Sequence, residues 1–172
     1  RAIGVTVMRI REIIFHDFRS FRGQRRISFV DPLTNAVMPI SVLAGTNGTG
    51  KTTILESVEA LLAFALDPDQ PRDLVREAME SGLIHLTVEV DLPTANGQNA
   101  ALPGLLPSLL HIAVGRKDLV HGNPEREWPN LVCWLVQRGK QGPPLLRQSR
   151  VAKQLREQVS GMLQGQTPLE GG

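Results

Sequence analysis

Residues 7–15, VMRIREIIF, are rich in β-branched and aromatic side chains and predict a strand. RSFRGQR then turns through Gly23, and RRISFV (residues 25–30) predicts a second strand pairing back on the first as a hairpin. DPLTNAVMP reads as a loop by its Asp-Pro, Asn35 and Pro39. ISVLAG, residues 40–45, is almost wholly apolar, the pattern of a strand covered on both faces. From Lys51 to Leu66, Ile54, Leu55, Val58, Leu61, Leu62 and Ala65 recur at helical spacing. DPDQP ends that helix, and a second helix runs from Pro71 to about Ser81, with Gly82 as its stop.

Residues 84–92 alternate: Ile84, Leu86, Val88, Val90 and Leu92 on one face, and His85, Thr87, Glu89 and Asp91 on the other. This predicts a half-exposed antiparallel strand. After a loop through PTANGQNAALPGLLP, SLLHIAVGR and LVCWLVQR predict two more strands, separated by the turn-rich HGNPEREWPN. Val151, Leu155, Val159 and Met162 then form the stripe of a helix over 146–163. The fold class expected is α/β, a P-loop lobe with a mixed central sheet and an antiparallel β subdomain. All 172 residues are read as one lobe: 7–66 a phosphate-loop core, 67–145 a helix plus antiparallel strands, and 146–163 a helix leading onward. The chain opens on Arg1 and stops at TPLEGG, so both ends read as cuts in a longer protein.

The charged fraction of 21% and the hydrophobic fraction of 41% are those of a globular domain and exclude wholesale disorder. Net charge is only +2, but seven arginines (1, 9, 11, 19, 22, 25 and 26) stand against Glu12 and Asp17 in the first 26 residues. That local excess suits phosphate partners as well as a solvated strand edge. The single cysteine, Cys133, excludes an internal disulfide and reads as a buried thiol within LVCWLV. His16, His85, His111 and His121 show no zinc-ligand spacing. No run is long enough to span a membrane and no signal peptide opens the chain, so a cytoplasmic location is expected.

The chemistry concentrates in GTNGTGKT, residues 45–52, which matches G-x-x-x-x-G-K-[ST] without exception. Glycines allow backbone N–H groups to turn inward around an anion. Lys51 supplies a point charge for the β- and γ-phosphates and is the candidate catalytic residue. The Thr52 hydroxyl suits Mg²⁺, and the helix that begins there aims its positive end at the same anion. Gly45, Thr46, Asn47, Gly48, Thr49, Gly50, Lys51, Thr52 and Thr53 are therefore the candidate site for ATP and Mg²⁺.

NGTGKTT, together with the upstream FHDFRSFRG, resembles the amino-terminal part of ATPases of the RecF, SMC and Rad50 kind, AAA-type members of the ABC-ATPase superfamily. The corresponding pieces are IIFHDFRSF, RRISFV, LAGTNGTGKTT and ILESVEALL, so the resemblance covers residues 8–66. It implies that Asn47 sits against the bridge between the β- and γ-phosphates and that Arg19 and Ser20 lie beside the nucleotide. Glu56, on the helix after the loop, reads as a surface residue. The resemblance further implies a head-to-tail homodimer, or completion by a carboxy-terminal lobe, and coupling to DNA in repair, chromosome maintenance or phage defence.

Hydrolysis also needs a strand-end carboxylate for the metal and a group to orient water. Asp91, ending LTVEVD, is the one candidate, and its alternating strand lacks the unbroken apolar run of a parallel core. VSGMLQGQ has the wrong order for a serine-glycine signature, and neither Gln98 nor Gln137 has a context that selects it as a metal sensor. Three rival classes remain. A small GTPase is disfavoured because no N-K-x-D occurs, and a transporter-type ABC subunit because its signature is missing. The third is a module that binds nucleotide without catalysis.

Overall fold

The computed structural model describes residues 8–90, 108–128, 131–136 and 145–148. Strands β1 (Met8–Phe18) and β2 (Phe21–Ser28) form the expected hairpin. The turn, however, is Arg19–Ser20, with Phe18 opposite Phe21, and not a loop through Gly23. Gly23 lies inside β2 at a register shift, where its N–H donates to Asp17 Oδ1 at 2.8 Å. The loop 31–39 is held by Asp31, whose Oδ1 accepts from the Leu33 and Thr34 N–H groups at 2.7 and 3.1 Å.

Helix α1 (Lys51–Leu66) begins and ends where the pattern placed it. Its buried stripe is rotated slightly, through Ile54, Ser57, Leu61 and Phe64, which leaves Leu55 62% exposed. Helix α2 (Asp73–Ser81) ends at Gly82. Strands β3 (Leu83–Val90), β4 (Ser108–Arg116), β5 (Leu131–Val136) and β6 (Leu145–Gln148) complete one six-stranded sheet in the order β2-β1-β3-β4-β5-β6. All neighbours are antiparallel except β4 and β5, so the sheet is mixed, and the later antiparallel strands belong to the same sheet as the hairpin. The β4–β5 crossover carries a 3-10 turn at Lys117–Leu119 and the short helix α3 (Pro124–Glu127).

Both faces of this sheet are covered. On one, Ile13, Phe15, Ile84, Leu86, Ile112 and Val114 pack against Ile54, Leu61 and Phe64 of α1 and Val75 and Ala78 of α2. On the other, Leu83, Ala113, Leu131 and Cys133 lie beneath Leu119, Val120 and Trp128 of the crossover. Cys133 is a buried thiol, as its apolar setting predicts.

Three expectations give way. Strand β3 is buried along its whole length and not half-exposed. Its polar positions are covered too, with His85 beneath Trp128 and Glu89 paired to Arg11. The expected helix over 146–163 does not start there, because residues 145–148 form β6, taking up the backbone groups along the open edge of β5. The remainder of that predicted helix, residues 149–163, lies outside the described residues. Finally, ISVLAG forms no strand: Ile40 is 81% and Val42 84% exposed. A β-run becomes a strand only when a neighbour takes its hydrogen bonds, and among the described residues nothing pairs with 40–45. No helix among the described residues is long and apolar enough to cross a membrane.

Candidate functional site

The loop between the exposed run and α1 has the backbone of an anion nest. Gly48 and Gly50 stand at φ 85° and 92°, in the left-handed region that side chains disfavour. Gly50 is the residue before the first turn of α1, a turn containing no acidic residue and no side-chain cap. Helix N-termini with open N–H groups attract anions. No side chain caps the start of α1, so the N–H groups of its first turn are open to an anion.

Lys51 folds back over the loop. Its Nζ donates to the carbonyl oxygens of Gly45 at 2.7 Å and Thr46 at 2.6 Å, and lies 3.4 Å from Thr49 Oγ1. Thr49 Oγ1 in turn donates to Thr46 O at 2.9 Å. The ammonium thus stands at the mouth of the nest, held by carbonyls that a phosphate oxygen can replace. Asn47 and Thr52 are exposed at the loop and at the first turn of α1, whereas Thr53 is buried beneath it. Nest, lysine and an exposed threonine hydroxyl at a helix start fit a Mg²⁺-nucleoside triphosphate as a donor set.

The hairpin turn reaches this loop. A Cβ placed on Gly50 would stand 2.6 Å from Phe21 Cζ and 3.0 Å from Ser20 Oγ. Phe21 is itself stacked on Phe15, ring centroids 4.2 Å apart, so the loop rests on the aromatic core of β1. Ser20 therefore lies against the phosphate loop. Arg19, at φ 50°, points away to the helices: it donates through Nε to both oxygens of Glu77 at 3.0 and 3.1 Å, and through Nη2 to Glu77 Oε2 at 2.7 Å. Its Nη1 donates to Glu56 Oε2 at 2.7 Å, so Glu56 is an ion-pair partner as well as a surface residue. These bonds raise the Arg19 pKa above its ordinary value, and the same guanidinium holds the Glu77 carboxyl below the usual range.

Asp91, Gln98 and Gln137 lie outside the described residues. Three of the seven arginines are in ion pairs: Arg11 with Glu89, Arg19 with Glu56 and Glu77, and Arg26 with Glu12.

A second cluster is hidden from the sequence because its members are far apart in the chain. All four histidines line one cavity of about 380 Å³ between the sheet and the crossover, with Trp128 and Arg26 beside them. His85 Nε2 lies 3.1 Å from His111 Nδ1, and both rings pack on Trp128. Burial, then the neighbouring His111 and Arg26, push His85 down to about 3, and burial lowers His111 in the same direction. Both imidazoles are neutral at pH 7. Among the described residues no three His, Cys, Asp or Glu side chains are arranged to hold a metal. Alternation within β1, β3 and β4 was the one available signal, since it places His16, His85 and His111 on the same sheet face.

The family model described as an AAA domain matches residues 12–99, just over half of the chain, and the chain belongs to that family. Among curated proteins it is similar to the structural maintenance of chromosomes protein 2 of three vertebrates. With the Gallus gallus protein it is 29% identical over 99 residues, 55% of this chain and 8% of that protein. With the Homo sapiens protein the identity is 27% over 99 residues, again 55% and 8%. With the Xenopus laevis protein it is 31% over 87 residues, 48% of this chain and 7% of that protein. The chain thus spans less than a tenth of the length of these relatives, and it is an SMC- and Rad50-like AAA domain of the amino-terminal type.

Proposed function

We propose that this chain binds ATP·Mg²⁺ and serves as the amino-terminal lobe of a split ATPase. The observation that carries the reading is the glycine nest at 46–50, with Gly48 and Gly50 in the left-handed region, roofed by Lys51 and opening onto Thr52 at the uncapped start of α1. In the proposed complex the N–H groups of Thr46 to Gly50 hold phosphate oxygens, and the Lys51 ammonium moves from the Gly45 and Thr46 carbonyls to the β- and γ-phosphates. The Thr52 hydroxyl is the metal ligand, and the cation would neutralise charge developing on the transferred phosphoryl group. Asn47, exposed at the rim, and Ser20, against Gly50, complete the candidate contacts.

The second half of the proposal concerns hydrolysis. Residues 40–45 present Ile40 and Val42 to solvent beside the phosphate loop, although their composition suits a covered strand. Strands from elsewhere in the full-length protein, or from a head-to-tail second copy, would cover them and bring the metal-binding carboxylate and signature segment. Coupling to DNA is carried over from the chromosome-maintenance relatives; Arg11, Arg19 and Arg26 are engaged in ion pairs within the chain.

Steady-state assay of residues 1–172 alone tests the split. Turnover at or near background is expected, and ordinary turnover by the isolated chain would overturn it. The GTPase alternative makes a different forecast, that GTP outcompetes ATP.

A further inference from the structure

Arg19 occupies a conformation that needs an external hold. A non-glycine residue at φ 50° is strained and persists where its surroundings fix it. Here the hold is visible: its donors reach Glu77 of α2 and Glu56 of α1, and the guanidinium lies 5.4 Å above the Phe18 ring. One residue therefore ties the β1–β2 turn to both helices. Glu56 stands four residues after Thr52, so the guanidinium grips α1 on the face that carries that hydroxyl. The other end of the same turn, Ser20–Phe21, lies against Gly50, the residue just before α1.

The resemblance places Arg19 beside the nucleotide; the geometry gives it other work. We propose that Arg19 is a positioning residue: by clamping Glu56 and Glu77 it fixes the turn against Gly50 and so sets the conformation of the phosphate loop before any nucleotide arrives. Glu77 then acts on the loop from the far helix without touching the ligand. The affinity consequence rests on the nucleotide reading above, whereas the effect on the empty loop does not.

Two measurements on the 172-residue chain test this. Hydrogen exchange of the nucleotide-free protein reads the junction of the loop with α1. In Arg19→Ala and Glu77→Gln, protection of the amides of Ile54 to Ser57, beginning with the Ile54 N–H that donates to Gly50 O at 2.9 Å, is expected to fall, while that of β3 is retained. Arg19→Lys, lacking the fork that spans two carboxylates, is expected to lose protection nearly as far as Arg19→Ala. The second measurement is titration with a fluorescent ATP analogue and Mg²⁺. Glu77→Gln weakens binding about three- to tenfold, as loss of a partly exposed coupled pair allows. Unchanged protection of Ile54 to Ser57 in Glu77→Gln overturns the clamp. So does a Glu77→Gln variant that binds as tightly as wild type while Arg19→Ala binds weakly, because Arg19 would then touch the nucleotide itself. If wild type and Lys51→Ala bind alike, the nucleotide reading fails, and the exchange data still decide the clamp.

Discussion

Phe21 and Gly50 meet so closely that only glycine fits between them: Phe21 Cζ lies 2.6 Å from where a Cβ on Gly50 would stand. The two halves of the sequence signature, FRSF and the glycine-rich loop, are thus a single packed unit. The ring is fixed by its stack on Phe15, so it cannot swing aside without disturbing the core.

Gly50→Ala should therefore be damaging twice over. It forces a side chain into φ 92° and against an aromatic ring, an expected cost of about 1–3 kcal/mol in urea unfolding. It also tilts the nest, so nucleotide binding falls more than stability does. Equal stability and binding in the variant would show that the loop does not rest on this turn.

Acid should weaken the fold through the histidine cavity. His85 is held neutral down to about 3 in the folded protein, against 6.5 for a solvated imidazole. Between these values the unfolded chain binds the extra proton, so stability present above pH 6.5 is lost as pH falls toward 3. The slope approaches about 1.4 kcal/mol per pH unit for one such group, and His111 adds to it with the same sign. Urea midpoints measured from about pH 7 to about pH 5 should drop steadily, and His85→Gln should flatten the decline. A flat wild-type profile would contradict the buried pair.

The exposed run makes a contrasting forecast. Ile40→Ser and Val42→Thr should change the stability of this chain by less than about 0.5 kcal/mol, because neither side chain is packed. Ile112→Ala, at a fully buried position of β4, should cost about 2–5 kcal/mol. A loss at position 40 comparable to that at 112 would mean that residues 40–45 are paired after all.

Residues 40–45 also mark what could be read from the chain. Helix α1 was legible to the residue because its apolar spacing, the glycine before it and the DPDQP after it all agree. The phosphate loop was legible because its chemistry is local. Pairing is not local. ISVLAG has the composition of a core strand, yet among the described residues it has no neighbour, and composition cannot supply one. LLRQ shares a helical spacing with Val151 and Leu155 downstream, but the open edge of β5 claims it as a strand. The alternation of β3 identified its two faces correctly and misjudged one as wet, because the crossover that covers it is more than 25 residues away along the chain. Arg19 was recognised by resemblance, while its partners Glu56 and Glu77 sit 37 and 58 residues along the chain, beyond any local pattern.

The most direct test of the central claim is titration of the 172-residue chain with a fluorescent ATP analogue in Mg²⁺, alongside Lys51→Ala. Saturable binding, displaced by ATP and not preferentially by GTP, is expected, with Lys51→Ala weaker by at least about tenfold, as the loss of charge-assisted phosphate contacts requires. Equal binding by wild type and Lys51→Ala would contradict a phosphate site at residues 45–53.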